Sequence, residues 1–210
     1  MKHQSIREQL LDTVIKANEV NLIRLSAGNI SIRIGKDLVA ITPSGVKYDQ
    51  MKVEDISIVD LDGKLMDGLT PSSETPMHTA IYRNLSEVGG ICHTHSPYAT
   101  TFAMLEEEIP PVNIELFTCG APIPVAPWAC PGTLKAGTVT VEIFKSRPEL
   151  KVVLLNKHGL VAIGRNLNQA FDMAFNAEVG FQTYHQGLMV GKPQPLTTAQ
   201  LAEIKAAYGM

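Results

Sequence analysis

Two histidines one residue apart, His93 and His95, follow an apolar run and constrain the fold more than any other feature of the chain. Alternate residues of a strand point to one face, so a strand ending here projects both imidazoles together, about 6–7 Å apart at the backbone. A third histidine, His158, follows a second apolar run, Val152–Leu155. Because α/β sheets place their chemistry at strand ends, the three rings are candidate ligands of one cation. An isolated histidine pair is equally often a surface feature, so the metal hypothesis depends on His158 and on a carboxylate.

Glu74 is that carboxylate. It follows Ser72-Ser73 in the first turn of a predicted helix, where the helix dipole favours the ionised form. A carboxylate there can bind a metal or act as a general base, although a solvated glutamate is the alternative. His78 lies four residues later on the same helix face, and we expect it to support the site rather than bind the metal. Three histidines with a carboxylate are typical of catalytic zinc, which keeps a coordination position open.

Three short loops combine small residues with hydroxyl or amide side chains. Backbone N–H groups and a helix amino terminus in such loops can hold a phosphate without lysine or arginine. Each loop alone is also consistent with an ordinary turn or cap. The candidate phosphate-binding residues are Gly28, Asn29, Ser44, Gly45, Ser72 and Ser73.

Composition excludes several classes of function. The chain has 210 residues, 45% hydrophobic and 19% charged, and a formal charge of −3 without any run of basic residues. We therefore expect a soluble protein that binds neither nucleic acid nor acidic membranes. The first residues lack the apolar segment of a signal peptide, and no stretch approaches the ~20 apolar residues that span a bilayer, so we expect a cytoplasmic location. Three unpaired cysteines do not indicate disulfides, and Cys92 should face the core, away from the histidines.

The hydrophobic pattern predicts helices over residues 5–21, 97–105, 133–145, 168–189 and 197–208, and another that begins within 71–76. It predicts strands over 30–34, 38–41, 53–60 and 152–155, and one that ends at the histidine pair. Residues 110–131 are expected to be loop and short strand. The early strands follow one another without intervening helices, which favours a mixed or antiparallel sheet.

Five short motifs together resemble the class II aldolase/adducin family, and they occur here in the family's order. They are Ser26-Ala27-Gly28-Asn29, Thr42-Pro43-Ser44-Gly45, Ser72-Ser73-Glu74, His93-Thr94-His95 and Lys157-His158-Gly159. The resemblance covers almost the whole chain. It implies one three-layer αβα domain over residues 1–210 with a mixed, largely antiparallel central sheet.

The resemblance also implies an activity. It is a zinc-dependent aldolase that reversibly cleaves a phosphorylated ketose, such as L-fuculose 1-phosphate, to dihydroxyacetone phosphate and an aldehyde through a metal-stabilised enediolate. By analogy, His93, His95 and His158 bind one zinc ion per subunit, with another divalent metal as the alternative. Glu74 is the acid/base, and the six loop residues hold the substrate phosphate. The family forms homotetramers with active sites at subunit boundaries, and a carboxyl-terminal tyrosine, here Tyr208, acts on the aldehyde-side oxygen.

Alternatives remain open at the sequence level. Aldolases of the family carry an acid/base tyrosine soon after the stretch that corresponds to residues 109–113, whereas this chain has Ile114 and then Glu115. Three explanations of this difference are open: Glu115 takes over the role of that tyrosine, Tyr208 acts as the acid/base alone, or the aldehyde partner differs from that of the family's aldolases. The alternative activities are an L-ribulose-5-phosphate 4-epimerase or another sugar-phosphate aldolase or decarboxylase. An adducin-like interaction domain is a remote alternative, because adducin heads lack the metal ligands that are present here.

Overall fold

The computed structural model describes residues 2–105 and 107–208. The helices are α1 (Gln4–Glu19), α2 (Thr75–Asn84), α3 (Pro97–Phe102), α4 (Ile114–Thr118), α5 (Leu134–Ser146), α6 (Leu167–Val190) and α7 (Thr198–Tyr208). The strands are β1 (Asn29–Ile34), β2 (Leu38–Ile41), β3 (Ser57–Asp60), β4 (Leu65–Asp67), β5 (Gly90–Thr94), β6 (Val125–Ala126), β7 (Val152–Leu155) and β8 (Gly159–Gly164). None of the helices in these two ranges is long and apolar enough to span a bilayer.

All eight strands form one sheet in the order β4-β3-β2-β1-β5-β8-β7-β6. Neighbouring strands are antiparallel except β6 and β7, which are parallel. One apolar core packs α1, α3, α4 and α6 on one face of the sheet, and a second core packs α2 and α5 on the other. Cys92 lies in the first core, as its place on the strand predicts. The expectation of a three-layer αβα fold with a largely antiparallel sheet is therefore confirmed.

The pairing of β5 with β8 brings the histidines together. The two strands are antiparallel with Thr94 opposite Leu160, so the carboxyl end of β5 lies beside the amino end of β8. His93 is on β5, His95 follows its last residue, and His158 immediately precedes β8. Main-chain register alone thus places two remote segments of the chain at one end of the sheet.

Five details differ from the sequence-based expectation. Residues 53–60 are not one strand: Val53–Asp55 form a 3-10 turn, because the Asp55 carboxylate accepts a hydrogen bond from the Lys52 N–H at 2.8 Å. Helix α3 ends at Phe102 rather than near residue 105, and the Ala103 carbonyl instead accepts a hydrogen bond from the Lys157 N–H at 2.8 Å.

The other three differences are elements that the pattern did not predict. Strand β4 is exposed, and β8 is an apolar run between two glycines, so neither shows the apolar–polar alternation of a half-buried strand. Helix α4 lies within residues 110–131, where we expected only loop and strand. It has five residues and begins at Asn113, whose side chain accepts a hydrogen bond from the Leu116 N–H at 2.9 Å.

Candidate metal centre and active site

Four side chains converge at the end of β5 and β8. Each of Glu74, His93, His95 and His158 offers one ligand atom, and these atoms all lie within 4.8 Å of one another. The two Nε2 atoms of His93 and His95 are 3.1 Å apart, and Glu74 Oε2 lies 2.7 Å from His93 Nε2. Glu74 Oε1 lies 3.4 Å from His158 Nε2. The structure thus places every predicted metal ligand, and the predicted base, in one cluster.

The donor set fits a cation. His93 Nδ1 lies 2.9 Å from the Leu160 carbonyl oxygen, which can only accept, so Nδ1 donates to it. Nε2 is then the ring nitrogen that faces His95 and a carboxylate oxygen of Glu74. Glu74 Oε1 is buried and has no hydrogen-bond partner among the described residues. Converging acceptors with too few protons repel one another, and a divalent ion removes that repulsion.

The electrostatics keep these groups ready to bind a metal. Burial and the neighbouring imidazoles lower the pKa of His95 and of His158 to about 4, so neither ring needs to lose a proton near pH 7. Burial alone would raise the pKa of Glu74. The close contacts with His93 and His158, together with the hydrogen bond from Asn29, outweigh this effect and hold the pKa of Glu74 well below its usual range.

Close backbone packing fixes the position of His158. A Cβ atom on Gly159 would lie 2.3 Å from the Thr94 carbonyl oxygen and 3.2 Å from the His95 ring, so only glycine lets β8 approach β5 this closely. Lys157 adopts a left-handed conformation with φ of 56°, which turns the chain between β7 and β8. The turn therefore points the ring of His158 toward that of His95, with ring centroids 4.9 Å apart.

A buried carboxylate holds the segment that follows His95. Glu178 of α6 accepts hydrogen bonds from the N–H groups of Tyr98 and Ala99 at 2.9 and 2.8 Å. These N–H groups belong to the first turn of α3, where an anion is stabilised by the helix dipole. The start of α3 is thereby tied to α6 directly behind the metal ligands.

Glu74 lies at the cap position of α2 rather than inside its first turn, where we expected it, and it is only 5% exposed. Asn29 Nδ2 donates to Glu74 Oε2 at 3.0 Å. Because the carboxylate can only accept, the amide of Asn29 must present its oxygen to the other side, where His78 Nε2 lies 2.6 Å away. His78 therefore orients the amide that holds Glu74.

The same logic fixes the rest of this hydrogen-bond chain. Burial and the charge of His93 lower the pKa of His78 to about 3, so the ring is neutral and its single proton is on Nε2. Nδ1 then accepts from the Ser31 hydroxyl at 2.7 Å, and Ser31 Oγ accepts from the Tyr82 hydroxyl at 2.9 Å. All members from Tyr82 to Glu74 are buried.

Sequence reasoning expected a supporting role for His78 but missed Ser31 and Tyr82. The signal for Ser31 was present, because Asn29, Ser31 and Arg33 alternate with isoleucines along the strand and so share its polar face. Tyr82 sits four residues after His78 on α2, a spacing that places both on one helix face.

A cavity of about 270 Å³ opens beside the cluster. Its lining includes Glu74, His95 and His158. It also includes all six residues that we expected to hold a phosphate: Gly28, Asn29, Ser44, Gly45, Ser72 and Ser73. No lysine or arginine of the described residues lines it. The three loops, remote from one another in sequence, thus form a single neutral cradle next to the candidate metal ligands.

The cradle has unused hydrogen-bond donors. Within residues 2–105 and 107–208, the N–H groups of Gly28, Gly45 and Ser73 and the hydroxyls of Ser44 and Ser73 make no hydrogen bond to the chain. The Tyr48 hydroxyl donates a hydrogen bond to the Gly28 carbonyl at 2.6 Å, which holds Gly28 in its conformation. Donors that are free and held in place suit a tetrahedral oxyanion.

Tyr208 lies away from this cavity's lining. It is 72% exposed at the end of α7, a helix with no buried residue. Glu115 is half-buried in the first turn of α4 and does not line the cavity either. The acid/base roles of both residues stay predictions.

Comparisons with known proteins agree with the geometry. The family described as "Class II Aldolase and Adducin N-terminal domain" matches residues 8–185. A 5-deoxy-D-ribulose 1-phosphate aldolase of Bacillus thuringiensis is 35% identical over 207 residues, which cover 98% of this chain and 96% of that protein. An L-fuculose phosphate aldolase of Haemophilus influenzae is 32% identical over 205 residues, 97% of this chain and 93% of that protein. The solved structure of an L-fuculose 1-phosphate aldolase superposes with a TM-score of 0.91 at 29% identity, covering 100% of this chain and 99% of the other.

The depressed histidine pKa values predict that the metal-free protein is less stable in acid. An unfolded histidine takes up a proton near pH 6.5, whereas His78, with a folded pKa of about 3, does not until the pH is much lower. The unfolded state therefore binds more protons and stability falls as the pH falls from 6.5 toward 4. Between pH 7 and pH 5, His78 alone should cost about 2 kcal/mol.

Urea unfolding of chelator-treated protein at pH 7, 6 and 5 measures this loss. The free energy of unfolding should decline over that range, and the slope should be smaller in His78→Leu, which lacks one of the buried rings. Equal stability of the wild-type protein at pH 7 and pH 5 would contradict the assignment of neutral, buried imidazoles.

The buried hydrogen-bond chain predicts unequal costs for its members. His78→Leu leaves Asn29 Oδ1 without its donor and Ser31 without its acceptor, and should cost about 2–4 kcal/mol of unfolding free energy. Tyr82→Phe, the matched control, removes a terminal hydroxyl and orphans no buried donor, so about 1 kcal/mol should be lost. Urea midpoints at pH 7 compare the two variants. Similar losses of stability would contradict the description of hydrogen bonds donated in sequence from Tyr82 through Ser31 and His78 to Asn29.

Proposed function

The chain belongs to the class II aldolase and adducin family and is a lyase of the sugar-phosphate class; from this premise we propose that it reversibly cleaves a ketose 1-phosphate to dihydroxyacetone phosphate and an aldehyde. One observation carries the proposal. The ligand atoms of a carboxylate and three imidazoles lie within 4.8 Å of one another, beside a cavity lined by the three neutral loops that we expect to bind phosphate. The names of the relatives support the 1-phosphate class, since one acts on 5-deoxy-D-ribulose 1-phosphate and the solved structure on L-fuculose 1-phosphate.

The loops would hold the phosphate of the substrate. The free hydroxyls of Ser44 and Ser73 and the free N–H groups of Gly45 and Ser73 would donate to its oxygens. A cradle without lysine or arginine binds the phosphate through many weak dipoles rather than through one strong ion pair. Such binding positions the substrate and still permits its release, as a reversible reaction requires.

Glu74 would move the proton. Its low pKa keeps it ionised at neutral pH, and Oε2 is held by Asn29. Oε1 has no hydrogen-bond partner among the described residues, so it is the oxygen available to accept a proton from the hydroxymethyl carbon of dihydroxyacetone phosphate. In the cleavage direction the protonated carboxyl returns that proton to the same carbon.

A metal ion held by His93, His95 and His158 would supply a Lewis acid that stabilises the negative charge developing on the substrate's oxygens. We propose zinc for this ion, because a set of three imidazole nitrogens with a nearby carboxylate suits it. His93 Nδ1 donates to the Leu160 carbonyl, which fixes the ring and directs Nε2 toward Glu74 and His95, where the ion would bind.

The aldehyde side of the reaction needs a second proton-transfer group. When the carbon–carbon bond breaks, the hydroxyl on the aldehyde side loses its proton and becomes the carbonyl oxygen. We propose that Tyr208 or Glu115 takes this proton in a homotetramer whose active sites lie at subunit boundaries. Exposed apolar residues near the end of α6, including 76% exposed Met189 and 91% exposed Val190, support such an assembly because contact with another subunit would cover them.

Product analysis tests the proposed activity. Metal-loaded protein should release dihydroxyacetone phosphate from 5-deoxy-D-ribulose 1-phosphate or L-fuculose 1-phosphate, and a coupled NADH-dependent reductase measures the release. An epimerase would convert L-ribulose 5-phosphate without releasing a fragment. Turnover of L-ribulose 5-phosphate, with no release from either 1-phosphate, would contradict the proposal.

Glu74→Gln isolates the proton transfer. The variant should remain folded and bind metal, yet exchange the hydroxymethyl proton of dihydroxyacetone phosphate with D₂O at least about 100-fold more slowly, because the amide cannot accept the proton. Proton NMR measures this exchange without any aldehyde. Glu54→Gln, an exposed carboxylate on the 3-10 turn, is the matched control and should exchange at the wild-type rate. Normal exchange in Glu74→Gln would remove Glu74 from the mechanism.

A further inference from the structure

A second cavity, of about 690 Å³, lies at the opposite end of the sheet from the metal ligands, and we call it the distal cavity. Strand β8 connects the two sites: it begins beside His158 and ends at Gly164, which lines the distal cavity. Six strand residues span roughly 20 Å, at about 3.3 Å per residue. The two cavities have no lining residue in common. Because they lie at opposite ends of β8, one small ligand cannot occupy both.

The floor of the distal cavity is apolar. Four apolar side chains contribute to its lining. They come from the segments before β5 and β7, from α5 and from the end of β8: Val88, Leu150, Phe144 and Ile163. Each of them is at most 6% exposed, so these side chains are held in the packed core and only their edges face the cavity. A volume of this size is typical of small-molecule sites, which hold about 300–1,000 Å³.

The walls are built by backbone contacts and are therefore preformed. The Gly89 N–H donates to the Gly164 carbonyl at 2.8 Å. A Cβ atom on Gly89 would lie 2.2 Å from the Arg165 carbonyl oxygen, and one on Gly90 would lie 2.5 Å from Leu167 Cα. This packing fixes the start of α6 against the start of β5, so no rearrangement is needed to form the cavity.

The rim carries three cationic side chains, Lys145, Lys151 and Arg165, and one carboxylate, Glu87. Lys145 Nζ donates to the Asn84 side-chain oxygen at 2.7 Å, and Lys151 Nζ donates to the Pro148 carbonyl at 3.1 Å. Both acceptors are neutral, and Glu149 is a carboxylate close enough to Lys151 to interact with its charge. In the part of the chain that the structure describes, none of the four rim residues forms an ion pair.

This positive rim stands out against the protein's overall charge of −3. The amino-terminal end of α6, a helix of 24 residues, adds to it, because Arg165 and Gln169 of the lining flank its first turn. The dipole of a helix places partial positive charge at that end. Lysine and arginine side chains around an apolar floor can attract an anion and bind an apolar group at the same site.

We propose that the distal cavity binds a phosphate monoester with an apolar aryl or alkyl group, as a site separate from the catalytic one. The phosphate lies at the rim between Lys151 and Arg165, and the apolar group enters the recess over Phe144 and Ile163. A phosphate monoester is nearly a dianion at neutral pH, which balances the excess of two positive charges at the rim. The neutral catalytic cradle lacks both the cations and the apolar floor that this ligand needs.

Calorimetric titration with 1-naphthyl phosphate tests the proposal, with uncharged 1-naphthol as the comparison ligand. The double variant Lys151→Gln/Arg165→Gln should weaken the binding of 1-naphthyl phosphate at least about tenfold and leave that of 1-naphthol unchanged. Lys16→Gln, a control at an exposed lysine of α1, should have no effect. The charge-retaining swap Lys151→Arg/Arg165→Lys should preserve binding within about threefold and shows that the positions tolerate substitution.

Two results would overturn the proposal. Equal affinity of the wild type and the double glutamine variant for 1-naphthyl phosphate would assign its binding to another site, such as the catalytic cradle. Sedimentation velocity gives the second: a smaller assembly in the double glutamine variant than in the wild type would show that a second copy of the chain covers the distal cavity. An unchanged sedimentation coefficient together with weakened binding supports a small-molecule site.

Discussion

The confinement of four ligand atoms, from Glu74, His93, His95 and His158, within 4.8 Å is the interaction on which the rest of the structure depends. Buried groups that can only accept hydrogen bonds repel one another, so the fold must hold them in place until a cation compensates for their proximity. Three independent devices do this. Register between β5 and β8 aligns two strand ends, Gly159 allows close approach, and a hydrogen-bond chain orients Glu74. The metal centre is therefore a property of the whole sheet rather than of one loop.

The same arrangement separates two kinds of binding. At the metal end, a neutral cradle of serine, glycine and asparagine lies beside the imidazoles, so a bound ion would be the strongest positive charge at that end. At the distal end, lysine and arginine surround an apolar recess. One antiparallel sheet thus presents sites of different chemistry at its two ends, about 20 Å apart, and each is held by glycines that let main chains touch.

The sequence predicted most long elements from local signals, and the resemblance carried by its five motifs implied the fold class. The three histidines and Glu74 lie together in the structure, and their roles as ligands and base stay predictions. His93 and His95 alternate on a strand, and the long helix α6 has a clear apolar periodicity. The elements that were missed are short or lack alternation, such as β8, whose preceding turn uses Lys157 in a left-handed conformation instead of a glycine signal. The hydrogen-bond chain through His78 and the distal cavity depend on contacts between segments far apart in sequence, which no local pattern encodes.

Crystals grown with zinc, and diffraction data collected on both sides of its absorption edge, test the central claim most directly. The account predicts one anomalous peak per subunit at the end of β5 and β8, bonded to Nε2 of His93, His95 and His158 at about 2.0–2.1 Å. A peak elsewhere, or one bonded to His93 and His95 while the ring of His158 points away, would contradict the account that these remote segments form a single metal centre.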